Sequence, residues 1–330
     1  MVTKALVVGM GSMGRRRARL LKQINKNLLV CGVDSNPERV NQTPRENFDV
    51  VFSDLNQAIR QFRPDVAIIS TSPAFHHIII PVFLEQGIHV FTELNLISDG
   101  YEEMIHMAEE KNCTLFLSST LLYRKDLQYI IAQVQGKRVN YLYHAGQYLP
   151  DWHPWESYKN FFVQETKTNG CREIFAIDLP WILAAMGPVK EFHAYCGNLT
   201  KLEVSYPDNF MVQILHENGT KGIVSIDVVT RKAVRDLEVY SEEIYLRWNG
   251  NPNALYQYNF ETKNMDQIHT YGSVDKDRHY SDTIIENAYE DELRTFFEVI
   301  EKRAVPRYTF LDDWKTLELV DQIERCAEFI

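Results

Sequence analysis

The fold is decided by the apolar run Ala5-Leu6-Val7-Val8 and the six residues after it, Gly9-Met10-Gly11-Ser12-Met13-Gly14. The run predicts a buried strand, and the G-x-G-x-x-G pattern predicts a tight turn that opens a helix near Arg15. Gly9 permits the turn, Gly11 lets the backbone approach a pyrophosphate, and Gly14 lets helix and strand pack closely. The N–H groups at the helix N-terminus, in the segment that includes Ser12 and Met13, then face the anion. The stretch therefore predicts dinucleotide binding.

An acidic residue stands at the expected distance from the glycines. The second apolar run ends at Asp34, and 34 minus 14 gives the spacing of 20 residues at which a carboxylate binds the adenosine ribose. A carboxylate there repels a 2′-phosphate, so the predicted cofactor is NAD. NADP stays the alternative, because Arg39 follows in the next loop and Arg15 and Arg16 lie near the helix start.

Short apolar runs separated by helix-like segments occupy the first 120 residues, which predicts a doubly wound parallel sheet. The predicted strands are Ala5 to Val8, Leu28 to Val33, Val50 to Phe52, Val66 to Ser70, His89 to Thr92 and Leu115 to Ser118. We therefore expect a Rossmann domain over residues 1–120.

Residues 121–330 have a different pattern. Two pairs of apolar runs flank turn-forming segments at residues 217–220 and 249–253, which predicts hairpins of a mainly antiparallel sheet. A helix is expected over residues 174–186 and two more at the end of the chain, which we expect to pack in this second domain or back on the first. The predicted fold class is α/β followed by α+β, with an open-faced sheet through which a homodimer or homotetramer forms.

Composition excludes several classes of function. The 330 residues carry 35 Lys and Arg against 45 Asp and Glu, a net charge of −10, which argues against nucleic acid or an anionic membrane as the partner. The five cysteines are far apart and contain no C-x-x-C pair, so neither a disulfide framework nor a zinc site is predicted, and no other metal. No signal segment or membrane-length apolar stretch is seen, and we expect a cytoplasmic protein.

Three landmarks together resemble the glucose-fructose oxidoreductase and inositol dehydrogenase (Gfo/Idh/MocA) family. They are the glycine motif with Arg15-Arg16 after it, the segment Ser70-Thr71-Ser72-Pro73-Ala74-Phe75-His76, and the segment Gly87-Ile88-His89-Val90-Phe91-Thr92-Glu93. The resemblance spans nearly the whole chain and implies that Ser70, Thr71, Pro73, His76 and Glu93 line the cofactor groove. His76 could equally be a helix-start residue without a ligand.

The same resemblance exposes a departure. The family's Glu-Lys-Pro motif reads Glu93-Leu94-Asn95 here, so leucine stands in place of the lysine that usually polarises the substrate hydroxyl. Aligned on the family, the usual catalytic Asp and His positions hold Ile174 and Ile177. Hydride transfer at a carbinol carbon needs a group that exchanges the hydroxyl proton, so another side chain must serve.

Candidates for that group come from three segments. Tyr123-Arg124-Lys125 is expected on the strand that leaves the Rossmann half. Tyr123 or Lys125 could donate a proton there, and Arg124 could bind substrate. Alternatively, all three side chains simply pack or face water. The loop Tyr148 to Tyr158 offers His153 for proton exchange, and Trp152, Trp155 and Glu156 for sugar binding, unless its tryptophans only anchor it.

The third segment follows Asn169-Gly170 at the start of the predicted helix. Arg172 together with the helix N-terminus could bind an anion, Glu173 could exchange a proton or only balance the helix dipole, and Asp178 lies further along the helix.

The sequence thus predicts a NAD(P)-dependent oxidoreductase acting on a sugar, sugar acid or nucleotide-linked sugar with an atypical acid/base group. Two alternatives stay open. One is a catalytically silent protein that binds NAD(H) or a sugar as a sensor or assembly partner, and the other is an epimerase or lyase that keeps its cofactor through a redox-neutral cycle.

Overall fold

A computed structural model describes residues 2–42, 45–153, 157–276 and 283–330. Within these ranges the helices are α1 (Ser12–Ile24), α2 (Pro37–Gln42), α3 (Leu55–Phe62), α4 (His76–Leu84), α5 (Tyr101–Glu110), α6 (Lys125–Val134), α7 (Gly170–Met186), α8 (Glu286–Ile300) and α9 (Phe310–Cys326). The strands are β1 (Lys4–Val8), β2 (Leu29–Val33), β3 (Val50–Phe52), β4 (Val66–Ile69), β5 (His89–Thr92), β6 (Leu115–Leu117), β7 (Asn140–Gly146), β8 (Val189–Gly197), β9 (Asn209–His216), β10 (Lys221–Asp227), β11 (Val234–Tyr240), β12 (Tyr245–Trp248), β13 (Leu255–Asn259), β14 (Asn264–Gln267) and β15 (Glu328–Phe329).

The chain divides into two compact units. Unit 1 comprises Met1–Thr120 with Tyr289–Trp314, and unit 2 comprises Leu121–Ala288 with Lys315–Ile330. No described helix combines the length and the apolar composition that crossing a membrane requires.

Unit 1 contains a parallel sheet in the order β3-β2-β1-β4-β5-β6. The order reverses between β1 and β4, which creates the crevice at the carboxyl ends of the strands where doubly wound folds bind nucleotides. The strands are mostly apolar runs because helices cover both faces of such a sheet. On one side Phe296 of α8 packs edge-on against the stacked rings of Phe91 and Phe116. The predicted Rossmann sheet is confirmed.

Unit 2 contains a mixed, mainly antiparallel sheet in the order β14-β13-β12-β11-β7-β10-β9-β8-β15. The predicted hairpins are present as β9 with β10 and β12 with β13, while β7 pairs in parallel with β10. α7 covers one face, where Phe175 contacts Phe210 and Trp181 contacts Tyr143. The predicted α+β class of the second half is confirmed.

The opposite face of this sheet carries exposed apolar side chains. Ile223 of β10 lies opposite Leu142 of β7, and Met211 of β9 lies opposite Tyr195 of β8. These four side chains are 37% to 55% exposed, whereas their neighbours along each strand are buried. Successive side chains of a strand point to opposite faces of the sheet, so buried and exposed residues alternate. In these strands both faces carry large apolar side chains.

One local expectation is wrong. Tyr123, Arg124 and Lys125 do not lie on a strand, because β6 ends at Leu117 and a 3-10 turn over Thr120–Tyr123 leads into α6 at Lys125. Asp126 in the first turn of α6 accepts hydrogen bonds from the Arg124 side chain, and an acidic first turn favours a helix start at this point.

Candidate functional site

The glycine motif forms the predicted turn between β1 and α1. Gly9 has φ of +90°, and a Cβ there would lie 2.6 Å from the carbonyl oxygen of Ser70, so only glycine fits. A Cβ on Gly14 would collide with the carbonyl oxygen of Gly9. Gly11, by contrast, has open space where a Cβ would project, and Ser12 and Met13 begin α1 directly after it. This is the shape that a backbone cradle for a pyrophosphate requires.

Asp34 lies directly after β2 and is held in a fixed orientation. Its Oδ2 accepts a hydrogen bond from the backbone N–H of Met10 at 2.8 Å, and its Oδ1 accepts one from Asn36 at 2.9 Å. The guanidinium of Arg39 lies 3.8 Å from Oδ2. The carboxylate that was predicted to bind the ribose is therefore tied to the glycine loop itself.

Two hydroxyls beside the glycine loop have no bonding partner in the described part of the chain. Ser70 Oγ and Thr71 Oγ1 are buried, and the backbone of both residues lies against Gly9. Buried polar groups are normally paired, so unpaired hydroxyls beside an open backbone cradle fit a site that a ligand completes. Pro73, also predicted to line the groove, is buried in the 3-10 turn that leads to α4.

His76 begins α4 and is buried. Its Nδ1 contacts Oδ1 of Asn95, and its Nε2 lies 3.1 Å from the backbone oxygen of Thr71. Burial lowers the pKa of His76, although the hydrogen bond with Asn95 opposes that shift. The imidazole thus links the Thr71 segment to the residues after β5.

Glu93 follows β5 and pairs with a buried arginine. Arg17 Nε donates to Glu93 Oε1 at 2.6 Å, and its Nη2 donates to Glu292 Oε2 at 2.8 Å. Burial alone would lower the pKa of Arg17, but the two carboxylates raise it above its ordinary value. Glu292 also accepts from the backbone N–H of Ser119 and from the Ser118 hydroxyl. This cluster fixes the Glu93 carboxylate at the end of β5, and its partners could not be predicted from local patterns because they come from distant segments.

In unit 2, Glu173 lies in the first turn of α7, and its residue as a whole is partly exposed. Its Oε2, however, is buried and has no hydrogen-bond partner among the described residues. Burial raises the pKa of Glu173 to about 8, and the positive charge of Arg235 opposes that rise. A carboxyl group with these properties can hold and release a proton near neutral pH.

Asp178 lies further along the same helix and is fully engaged. Its Oδ1 accepts a hydrogen bond from the Tyr143 hydroxyl at 2.6 Å and one from Trp181 Nε1 at 3.2 Å. Arg235 Nε and Nη2 lie 3.2 Å from its two oxygens. Asp178 therefore holds Arg235, the cation that acts on Glu173.

The two arginines predicted to bind substrate are both buried and paired. Arg172 donates to Asp321 at 2.6 Å and to Glu324 at 2.5 Å. Arg124 binds both oxygens of Asp126 and donates to the backbone oxygens of Gly250 and Thr283. Their charges are matched inside unit 2, so they give no reason to expect an anion beside them.

The remaining predicted residues are spread over unit 2. Tyr123 is buried, and Lys125 is exposed, with its Nζ 5.6 Å from the ring centre of Tyr271. Trp152 donates from Nε1 to the Gln147 backbone oxygen, and the ring of His153 lies 4.4 Å from that of Phe161. Trp155 and Glu156 lie outside the described residues.

Comparisons with known proteins agree with this arrangement. A family model described as the oxidoreductase family with a NAD-binding Rossmann fold, GFO_IDH_MocA, matches residues 3–119. No curated protein sequence matches the chain.

Several solved structures are similar over nearly their whole length. UDP-N-acetylglucosamine 3-dehydrogenase GnnA from Acidithiobacillus ferrooxidans has a TM-score of 0.77 at 16% identity, with 99% of this chain and 98% of that chain covered. The WlbA dehydrogenase from Chromobacterium violaceum, solved with NADH and UDP-GlcNAcA, has a TM-score of 0.77 at 16% identity, covering 99% and 94%. A myo-inositol dehydrogenase from Corynebacterium glutamicum has a TM-score of 0.74 at 16% identity, covering 99% and 97%.

At sequence identities this low, the solved structures show only that the fold is shared. The class of cofactor is inferred from the family model. The predicted NAD cofactor is confirmed at that level, since the matching family is defined by a NAD-binding Rossmann fold. The resemblance inferred from the glycine motif and the segments after β4 and β5 is likewise confirmed, because the Gfo/Idh/MocA family model matches residues 3–119 of this chain.

Proposed function

We propose that this protein is a NAD-dependent oxidoreductase that acts on a hydroxyl-bearing carbon of a sugar, sugar acid or nucleotide-linked sugar, with Glu173 as its proton-exchanging group. The observation that carries the proposal is the carboxyl group of Glu173, a partly exposed residue whose buried Oε2 has no hydrogen-bond partner among the residues that the structure describes. The similar structures named above include dehydrogenases of nucleotide-linked sugars and of inositol, which supports a polyhydroxylated substrate.

The cofactor is held by residues of unit 1. When bound, the nicotinamide supplies the acceptor or donor of hydride. The glycine loop and the start of α1 would hold the pyrophosphate, Asp34 would accept hydrogen bonds from the ribose hydroxyls, and the unpaired Ser70 and Thr71 hydroxyls of the described chain would hydrogen-bond to the cofactor. Glu93, which Arg17 holds after β5, would lie along the same edge of the sheet.

Glu173 exchanges the hydroxyl proton of the substrate in this proposal. The residues at the family's usual catalytic positions, Leu94, Ile174 and Ile177, have no titrating group that could do so. As a carboxylate it accepts the hydroxyl proton when the substrate is oxidised, and as a carboxylic acid it returns that proton when a ketone is reduced. General acid/base groups of this type contribute roughly 10²- to 10⁴-fold in rate. With a pKa of about 8, Glu173 can exist as the carboxylic acid and as the carboxylate near neutral pH.

The test is substitution of Glu173 by glutamine, which keeps the shape and removes the titrating proton. With saturating NAD⁺, we expect Glu173→Gln to lower the rate of sugar oxidation by roughly 10²- to 10⁴-fold. Oxidation by the unsubstituted protein should rise with pH and level off above about 8, because only the carboxylate accepts the proton. Reduction should show the opposite trend, falling as pH rises through about 8.

A matched control is Glu217→Gln, which removes an exposed carboxylate at the β9–β10 turn of the same unit. It should leave both the rate and its pH profile unchanged. If Glu173→Gln retains the full rate with the same pH profile, Glu173 is not the proton-exchanging group.

We also propose that the exposed apolar face around Leu142, Met211 and Ile223 is covered by a second copy of the chain. A face of this kind is a common site of subunit association. The homodimer or homotetramer expected from the sequence would form in this way.

A further inference from the structure

The loop between β10 and β11, residues 228–233, carries two adjacent cations in a protein whose net charge is −10. Arg231 and Lys232 are exposed, and within the described chain neither makes a hydrogen bond or ion pair. The guanidinium carbon of Arg231 lies 4.0 Å from the ring centre of Tyr148. One cation is thus stacked on an aromatic face, which orients its donors without neutralising its charge.

The loop is built rigidly by Asp227 at the end of β10. Asp227 Oδ1 accepts hydrogen bonds from the backbone N–H groups of Val229 and Thr230 at 2.9 and 2.7 Å. Its Oδ2 accepts from the Thr230 hydroxyl at 2.9 Å and contacts His144 Nε2 at 2.6 Å. A loop fixed in this way loses little entropy when its side chains bind a ligand.

The same loop is joined to the segment after β7. The N–H of Tyr148 donates to Thr230 O at 2.7 Å, and that of Leu149 donates to Val228 O at 3.0 Å. Because β7 and β10 are parallel neighbours, the segments that follow them leave the sheet at one edge. This edge therefore brings the two cations beside the aromatic segment predicted to contact a sugar.

Glu173 belongs to this edge as well. The first residue of α7, Gly170, packs so closely here that a Cβ on it would lie 2.9 Å from Val228 Cγ1 and 3.3 Å from Leu149 Cδ1. Arg235, at the start of β11, is held by Asp178 and acts on Glu173. The cation pair, the Tyr148 segment and the first turn of α7 are thus all neighbours within unit 2.

We propose that Arg231 and Lys232 bind an anionic group carried by the substrate, so that the protein selects phosphate-bearing or carboxylate-bearing sugars over neutral ones. The proposal rests on the proposed function and narrows its substrate class. An arginine fork pairs with two oxygens of a phosphate or carboxylate, and an adjacent lysine adds a second charge-assisted bond. Arg124 and Arg172 do not compete for this role because carboxylates already pair with both.

The experiment is calorimetric titration of the full chain in saturating NAD⁺, so that the pyrophosphate site of unit 1 is filled. The probes are inorganic pyrophosphate, UDP-N-acetylglucosamine, glucuronate and glucose. We expect at least one anionic probe to bind, and the variant Arg231→Ala/Lys232→Ala to bind it roughly tenfold or more weakly. If pyrophosphate and UDP-N-acetylglucosamine bind and glucuronate does not, the recognised anion is a phosphate. If glucuronate binds and the other two do not, the recognised anion is a carboxylate.

The matched control is Lys190→Ala/Lys221→Ala, which removes two exposed cations at the opposite end of the same sheet. It should bind the anionic probes as the unsubstituted protein does, and Arg231→Lys/Lys232→Arg should retain most of the affinity. Thermal unfolding of each variant verifies that unit 2 is intact.

Equal affinity in the Arg231→Ala/Lys232→Ala variant, or no binding of any anionic probe, would overturn the proposal. The readout is binding rather than turnover, so the two proposals fail separately. A protein that binds anions through these residues but never reduces NAD⁺ would refute the proposed function alone.

Discussion

We propose that Asp34 decides which dinucleotide is preferred, because a carboxylate directly after the second strand accepts hydrogen bonds from the ribose hydroxyls and repels a 2′-phosphate. Its orientation is set by the backbone N–H groups of Met10 and Asn36, and Arg39 lies 3.8 Å away. We predict that Asp34→Asn, which keeps the shape and removes the charge, weakens NAD⁺ binding and strengthens NADP⁺ binding. The ratio of the two dissociation constants should shift by roughly tenfold or more toward NADP⁺.

Fluorescence titration with both cofactors measures this ratio. Asp99→Asn, at an exposed position of the same unit, is the control and should leave the ratio unchanged. An unaltered preference in Asp34→Asn would show that another group discriminates the 2′-phosphate.

The roles of single residues were only partly predictable from the sequence. Glu173 was one of several candidates, and only the structure reveals that its Oε2 is buried with no partner in the described part of the chain. Arg172 was expected to be available to an anion, but its partners Asp321 and Glu324 lie about 150 positions away, beyond the reach of any spacing argument. Arg231 and Lys232 gave no signal because their setting depends on Asp227 and Tyr148, which the fold brings beside them.

At the scale of elements, the start of α7 positions Glu173 through an asparagine cap. Asn169 Oδ1 accepts the N–H of Arg172 at 2.7 Å, and its Nδ2 donates to Glu324 at 2.7 Å. We predict that Asn169→Ala lowers the free energy of unfolding by about 1 to 2 kcal/mol, since it removes the cap and the hydrogen bonds that Nδ2 donates to Glu324 and to the Thr166 backbone oxygen.

Urea denaturation measures this loss. The control Asn253→Ala, at an exposed loop position, should change the free energy of unfolding by less than about 0.5 kcal/mol. If Asn169→Ala is equally neutral, the first turn of α7 is held by its packing against Val228 and Leu149 alone.

Elements were the most predictable level of this protein. The β-branched runs of the first half and the Asn-Gly turn of the second specify strands and hairpins through local periodicity, and the observed bounds agree closely with them. Tyr123 to Lys125 differ because the ion pair of Arg124 with Asp126 favours a helix start over a continued strand. A local pattern cannot report such a buried pair, because burial is a property of the fold.

At the scale of the whole molecule, the exposed apolar face of the unit 2 sheet predicts self-association. We expect sedimentation analysis to give a mass that is a multiple of 38.5 kDa, and the variant Met211→Lys/Ile223→Lys to give a smaller species. Introducing two like charges on a face buried between copies leaves them desolvated and unpaired.

The control Val305→Lys changes an apolar residue that is 80% exposed and lies outside this face, and it should leave the mass unchanged. A unit mass of 38.5 kDa in the unsubstituted protein would refute the proposal that a second copy covers the sheet.

We propose that this chain transfers hydride between a sugar carbon and NAD, and the absorbance band of the reduced nicotinamide measures that transfer. The protein is incubated with excess NAD⁺ and, in turn, UDP-N-acetylglucosamine, glucuronate, glucose and inositol. We expect net accumulation of NADH with at least one of these sugars, fastest with an anionic one. Tight NAD⁺ binding with no NADH formed from any of the four would contradict the claim and would instead describe a silent binding protein.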